Sequence, residues 1–174
     1  SWYSVKDFHP AAIGEVFRDT YQVVLKLGYG TASTTWLCRD LRNHRYVTLK
    51  IYASNQPQIA REVAALEHIN SVLSASRPVK HVGVARIRRL LDKFEISRPK
   101  SSRTNLCLVF EPLGISLADV RKTLCGGQMR GDLLKGTVWY MLQALDFLHR
   151  KAKLVHGGTF FFSIQHGTPG ALVY

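Results

Sequence analysis

Apolar runs at strand spacing recur five times between residues 21 and 110, with one interruption at helical spacing. These runs predict strands at Tyr21–Leu27 and Thr34–Arg39, and most clearly at Tyr46–Tyr52. In that last run Val47, Leu49 and Ile51 fall on one face, while Thr48 and Lys50 share the other. Two more strands are expected at Ile87–Phe94 and Leu106–Phe110, separated by the polar stretch SRPKSSRT. Between them the period changes. Ile59, Val63, Leu66, Ile69 and Leu73 recur at three and four, which predicts a helix over residues 58–73 with Glu62 beside its apolar stripe. Pro78 stops it. Leu117–Cys125 reads as a short helix and Leu133–Lys151 as a long apolar one. Residues 1–20 read as an irregular lead-in. Five antiparallel strands and one helix, followed by helices, make an α+β lobe leading into a helical one.

The chain has 174 residues, enough for a packed core, and its 46% hydrophobic and 21% charged content is that of a globular protein. It begins at Ser1, which suggests a piece of a longer protein or a processed one, and SWYSVKDFHP has no apolar run of a signal peptide. Val138–Leu148 is strongly apolar but too short to span a bilayer, so no membrane association is expected. Cys38, Cys107 and Cys125 lie far apart, and neither they nor the seven histidines show a metal-ligand spacing; a reduced, intracellular setting and no metal site follow. The net charge of +12 suits a nucleic-acid surface, but the basic residues are scattered without a basic-aromatic stripe. Nucleic acid is therefore not the expected partner. The charge instead fits a chain whose acidic counterpart lies elsewhere.

Candidate chemistry starts at KLGYGTASTTWL, residues 26–37. Gly28 and Gly30 would let backbone amides approach phosphate oxygens with no Cβ between them. The turn continues into a strand rather than a helix, which argues against a dinucleotide fingerprint, and the absence of GxxxxGK[ST] excludes a Walker-type loop. Lys50, twenty-two residues after Gly28, would point beneath that loop, and Glu62 could hold its ammonium through a charge-assisted bond.

Together these residues resemble the eukaryotic protein-kinase fold, and more narrowly the SR-protein kinases, especially their fungal relatives. The resemblance rests on KLGYGTASTTWLCRD, REVAALEHIN at 61–70, LCLVFEPLGISL at 106–117 and QALDFLHRKAKLVH at 143–156, and covers roughly residues 8–156. It implies an ATP-binding site. Leu27, Gly28, Tyr29, Gly30 and Ser33 match the loop over the phosphates, with Ser33 in place of the usual third glycine. Lys50 matches the phosphate-pairing lysine and Glu62 its helical partner. Phe110 takes the gatekeeper position, and Glu111 and Leu113 would meet adenine through backbone groups. Thr35 and Thr48 stand where the adenine ceiling is usually apolar, a departure costing about 1 kcal/mol for each hydroxyl left unpaired.

The larger departure is catalytic. His156 is the remnant of the catalytic-loop motif, but Gly158, Phe160 and Ser163 stand where the family has Asp, Lys and Asn, and there is no DFG. No catalytic residue and no metal ligand is therefore assigned. Phosphoryl transfer depends on positioning and charge neutralisation, so no transfer is expected from this chain. The segment GGTFFFSIQHGTPGALVY, 157–174, has no Lys, Arg, Asp or Glu after a densely charged chain. It reads as a frame-shifted or intron-derived tail, or a truncated isoform, ahead of the alternative of a selected short tail that covers the exposed helix.

The resulting expectation has four parts: lead-in 1–20, ATP-binding lobe and hinge 21–113, first helices of an incomplete second lobe 114–156, and an unrelated tail 157–174. ATP binding should be weak, Mg would belong only to a complete parent domain, and that domain's substrates would be Arg/Ser-rich proteins. Cytoplasmic or nuclear residence follows from the resemblance alone. The rival readings are a non-catalytic, pseudokinase-like interaction module and a basic nucleic-acid binder.

Overall fold

Six antiparallel strands form one sheet in the order β1-β2-β3-β4-β6-β5. The strands are β1 Val16–Phe17, β2 Tyr21–Tyr29, β3 Ser33–Asp40, β4 Arg45–Tyr52, β5 Leu90–Ser97 and β6 Thr104–Phe110, with helix α1 at Ile59–Leu73 and α2 at Gly131–Asp146. The computed structural model describes residues 5–54, 56, 58–75, 79–97, 103–114 and 131–155. The helix expected at Leu117–Cys125, the catalytic-loop remnant at His156 and the tail lie outside these residues. The described chain divides into two compact units, one of residues up to Leu66 with Arg89–Pro112, the other of Glu67–Arg88 with residues from Leu113 onward.

In the first unit β4 is buried on both faces. Val47, Leu49 and Ile51 join Val23, Trp36, Cys38, Phe94, Cys107 and Val109 in one cluster. Tyr52, on the opposite face, joins Ile59, Val63, Leu90, Leu108 and Phe110. Alternation thus sends one strand's side chains into two cores, and the second is closed by the apolar stripe of α1.

The lead-in is more ordered than its sequence suggests, and it supplies a sixth strand where five are expected. Val16 and Phe17 pair with Gln22 and Tyr21. Arg18 and Asp19 between them both have positive φ, the turn geometry that matches the right-handed twist of a hairpin. Gly14 also has φ of +87°, which an L side chain would strain, and its N–H donates to the Val23 carbonyl at 2.8 Å. Phe17 and Ala11 then pack on the first core. Asn105, fully buried, fixes the lead-in further: Nδ2 donates to the carbonyls of Asp7 at 2.8 Å and Tyr52 at 2.7 Å.

One strand starts later than its pattern indicates. The expected strand Ile87–Phe94 begins at Leu90 and runs to Ser97. Val82–Arg86 instead forms a 3-10 turn, closed when the Ile87 N–H donates to the Val84 carbonyl at 3.3 Å. Ile87 is drawn into the second unit's core with Ile69, Ala144, Phe147, Leu148 and Ala152, so burial there outweighs strand pairing. The long helix also ends differently. Residues 131–146 are α-helical and Phe147–Lys151 form a π turn. The backbone of Gly83 lies so close to α2 that a Cβ there would stand 2.1 Å from the Gln143 carbonyl oxygen.

Candidate nucleotide site on the sheet

The glycine loop is the hairpin between β2 and β3. Gly30 N–H donates to the Ser33 carbonyl at 2.8 Å, which closes the turn. Gly28 pairs with Thr35 beside a bulge between Lys26 and Gly28. A Cβ on Gly28 would meet nothing within 4 Å, and one on Gly30 would only reach the Ser33 carbonyl at 4.0 Å. Neither glycine has a positive φ. Packing and turn geometry within the chain therefore do not require glycine at either position, whereas close approach of an anion to the backbone would. Leu27 and Tyr29 flank them with 50% and 83% of their surface exposed, so the loop offers uncovered apolar surface as well.

Lys50 sits mid-strand in β4, paired with Thr35 of β3 and Leu108 of β6. Its Nζ donates to Oε1 of Glu62 at 2.9 Å, and both side chains are about four-fifths buried, at 18% and 19% exposed. Glu62 lies in the first turn of α1, where the helix dipole favours a carboxylate. The ammonium also lies 4.5 Å from the ring centroid of Tyr52. Sequence analysis did not single out Tyr52, although it is two residues on from Lys50 and so on the same strand face.

Thr48, Lys50, Thr35 and Phe110 are brought to one region of the sheet through the pairs Thr35–Lys50 and Thr48–Phe110. Thr48 and Phe110 are both 3% exposed, and Thr35 is half-buried. Among the described residues Oγ1 of Thr48 has no hydrogen-bond partner. A buried hydroxyl left so costs about 1–3 kcal/mol, which a polar atom of a bound ligand would recover. Glu111, exposed, and Leu113, half-buried, follow β6 in irregular backbone; Glu111 belongs to the first unit and Leu113 to the second. The positions expected to meet phosphate thus carry an open loop and a cation held in place, and those expected to meet the base carry one unsatisfied hydroxyl. This donor set fits a nucleotide. Among the described residues no group of three or more His, Cys, Asp and Glu could hold a metal ion.

The chain is 43% identical over 149 residues to a serine/threonine protein kinase of Aspergillus fumigatus, a match covering 86% of this chain and 36% of the relative. It is 36% identical to the serine/threonine-protein kinase SRPK of Physarum polycephalum and 33% identical to human SRSF protein kinase 3, each over 88% of this chain. This chain is a homologue of the SR-protein kinases over part of their length. It spans 35% of the Physarum protein and 26% of the human one. The crystal structure of a kinase domain aligns with 84% of this chain and 40% of its own at a TM-score of 0.66 and 19% identity, which shows the shared fold. No family model matches the chain. The fold is thus that of a kinase-domain N-terminal lobe followed by helices, with a six-stranded sheet in place of the expected five.

Proposed function

We propose that this chain is the ATP-binding part of an SR-protein-kinase-like serine/threonine kinase domain, without phosphoryl-transfer activity of its own. The observation that carries the proposal is the 2.9 Å pair of Lys50 and Glu62 on the strand beside the open glycine hairpin. In this reading Lys50 meets the α- and β-phosphates of ATP, and the hairpin of Gly28, Tyr29, Gly30 and Ser33 covers them. Thr35 and Thr48 face the base, Phe110 lies beside it, and Glu111 and Leu113 offer it backbone hydrogen bonds. Bound ATP would bring the transferable phosphoryl group. The residues at 158, 160 and 163 offer no Asp, Lys or Asn to use it, and Mg would belong to a complete parent domain. That parent would act on Arg/Ser-rich proteins, in the cytoplasm or nucleus.

The test is ATP-induced thermal stabilisation of the wild type and of Lys50→Met, with an Arg/Ser-rich peptide and labelled ATP assayed in parallel. Weak stabilisation in the wild type alone, with no labelled peptide, supports the reading. Equal stabilisation of both proteins would remove Lys50 from the site, and labelled peptide would overturn the predicted incompetence.

One observation favours a second reading, a non-catalytic interaction module. On α2, Leu134, Val138, Trp139 and Leu142 are 45–62% exposed, and such a surface binds another surface or associates with itself. A defined complex whose size is independent of concentration supports this reading, and polydisperse association counts against it.

A further inference from the structure

The second unit holds a cavity of about 430 Å³, lined by Lys80, His81, Asp146, Arg150, Lys151 and Lys153. Three segments supply these residues: the approach to the 3-10 turn, the end of α2 with its π turn, and the chain just beyond it. Among the described residues four permanent cations and a histidine face a single carboxylate. That carboxylate is already engaged. Nε2 of His81 lies 2.9 Å from Oδ2 of Asp146, and an Arg150 guanidinium nitrogen lies 3.6 Å from Oδ1. The hydrogen bond from His81 holds the Asp146 carboxyl below its ordinary value. Lys80, Lys151 and Lys153 are exposed and have no carboxylate partner among the described residues.

His81 and the backbone at the end of α2 are held in place. Nδ1 of His81 accepts the Gly83 N–H at 3.0 Å, and its ring lies 5.8 Å from that of the fully buried Phe147. Ala152 N–H donates to the Phe147 carbonyl and Leu154 N–H to the Leu148 carbonyl, which reverses the chain at the helix end and leaves Lys153 with φ of +55°. Cations in a last helical turn offset the helix dipole, which accounts for Arg150 and Lys151. It does not account for Lys80, which comes from a different segment, or for Lys153 beyond the helix.

We infer that this cavity binds a phosphomonoester dianion, a role independent of the nucleotide reading. Three equivalent oxygens carrying nearly two charges suit several separate ammonium groups, each giving a charge-assisted hydrogen bond. The volume lies within the range of small-ligand sites. Among the described residues no Phe, Tyr or Trp lines it, so these offer no platform for stacked bases, and Asp146 in the wall opposes an extended polyanion. The group can come from a phosphorylated protein side chain or from a free small phosphate.

The experiment uses the full chain and fluorescence polarisation with a labelled phosphoserine peptide and its unphosphorylated twin. Inorganic phosphate is the competitor, and a short single-stranded RNA is assayed beside them. The phosphopeptide should bind about tenfold more tightly than its twin. In the triple variant Lys80→Gln, Lys151→Gln, Lys153→Gln the preference should fall below about twofold, with helix content unchanged because all three side chains are exposed. Displacement by inorganic phosphate at matched concentration supports the site and names free phosphate as its source; weak displacement supports it and names a protein side chain. Equal binding of the two peptides overturns the inference, as does a preference that survives in the triple variant. RNA binding that displaces the phosphopeptide and is lost in that variant overturns it in favour of a nucleic-acid site.

Discussion

Nζ of Lys50 and Oε1 of Glu62 are 2.9 Å apart across the gap between β4 and the first turn of α1, and each is about four-fifths buried. Removing one partner leaves the other charge in a poorly solvated place. Glu62→Gln and Lys50→Met should each cost about 1–3 kcal/mol of stability, measured by urea unfolding. The double variant should cost less than the sum of the two, and strict additivity would show that the pair does not couple.

Asp40 ends β3 and organises the turn into β4. Its Oδ1 accepts the N–H groups of Arg42 and Asn43, Oδ2 accepts the Asn43 side-chain amide, and Arg45 lies 3.5 Å away. Burial pushes its carboxyl up, but these hydrogen bonds outweigh it and hold the group below its ordinary value. A depressed carboxyl contributes stability that is present above the unfolded pKa, near 3.9, and is lost as pH falls through the lower folded value. Asp40→Asn should therefore be less stable at neutral pH by about 1–3 kcal/mol and show a flatter decline in acid, read from Tm against pH. Parallel acid profiles would contradict this.

Gly83 cannot accept a side chain without moving α2, because a Cβ would meet the Gln143 carbonyl oxygen at 2.1 Å and Cβ of Phe147 at 2.8 Å. Gly83→Ala should cost about 2 kcal/mol or more and raise hydrogen exchange in α2 and around Val82–Arg86. Exchange in β4 and β6, which belong to the first unit, serves as the internal reference.

Cys38 and Cys107 are fully buried in the first core, and burial pushes the Cys38 thiol up to about 12 and the Cys107 thiol higher still. The thiolate is the reactive form, so neither should react with a maleimide in the folded chain. In a Cys125→Ser background, labelling should appear only with unfolding in urea. Rapid native labelling would place a thiol at the surface.

Strand β4 and helix α1 are legible in the sequence because their periods of two and about 3.6 are uninterrupted, and β2, β3 and β6 because short apolar runs are bounded by turn or polar segments. Lys50 and Glu62 are legible as a pair because strand alternation and helical phase each fix a direction. The lead-in strand is not legible, since Val16 and Phe17 are too short to show a period. Their placement depends on the positive φ of Arg18 and Asp19 and on the distant amide of Asn105. The late start of β5 is hidden for a similar reason: Ile87 fits a strand pattern, yet a core formed by residues 69 and 144–152 takes it.

The sequence by itself determined the period of each long element, the glycine hairpin and its lysine and glutamate, and the absence of Asp, Lys and Asn at 158, 160 and 163. Those properties reside in local spacing and residue identity, which need no folded context. Tertiary structure alone decided that Oγ1 of Thr48 is buried without a partner, that Gly83 touches α2, and that Lys80 joins Lys151 and Lys153 around one cavity. Each of these depends on residues far apart in the chain meeting across a packed interior, and no local pattern encodes that distance.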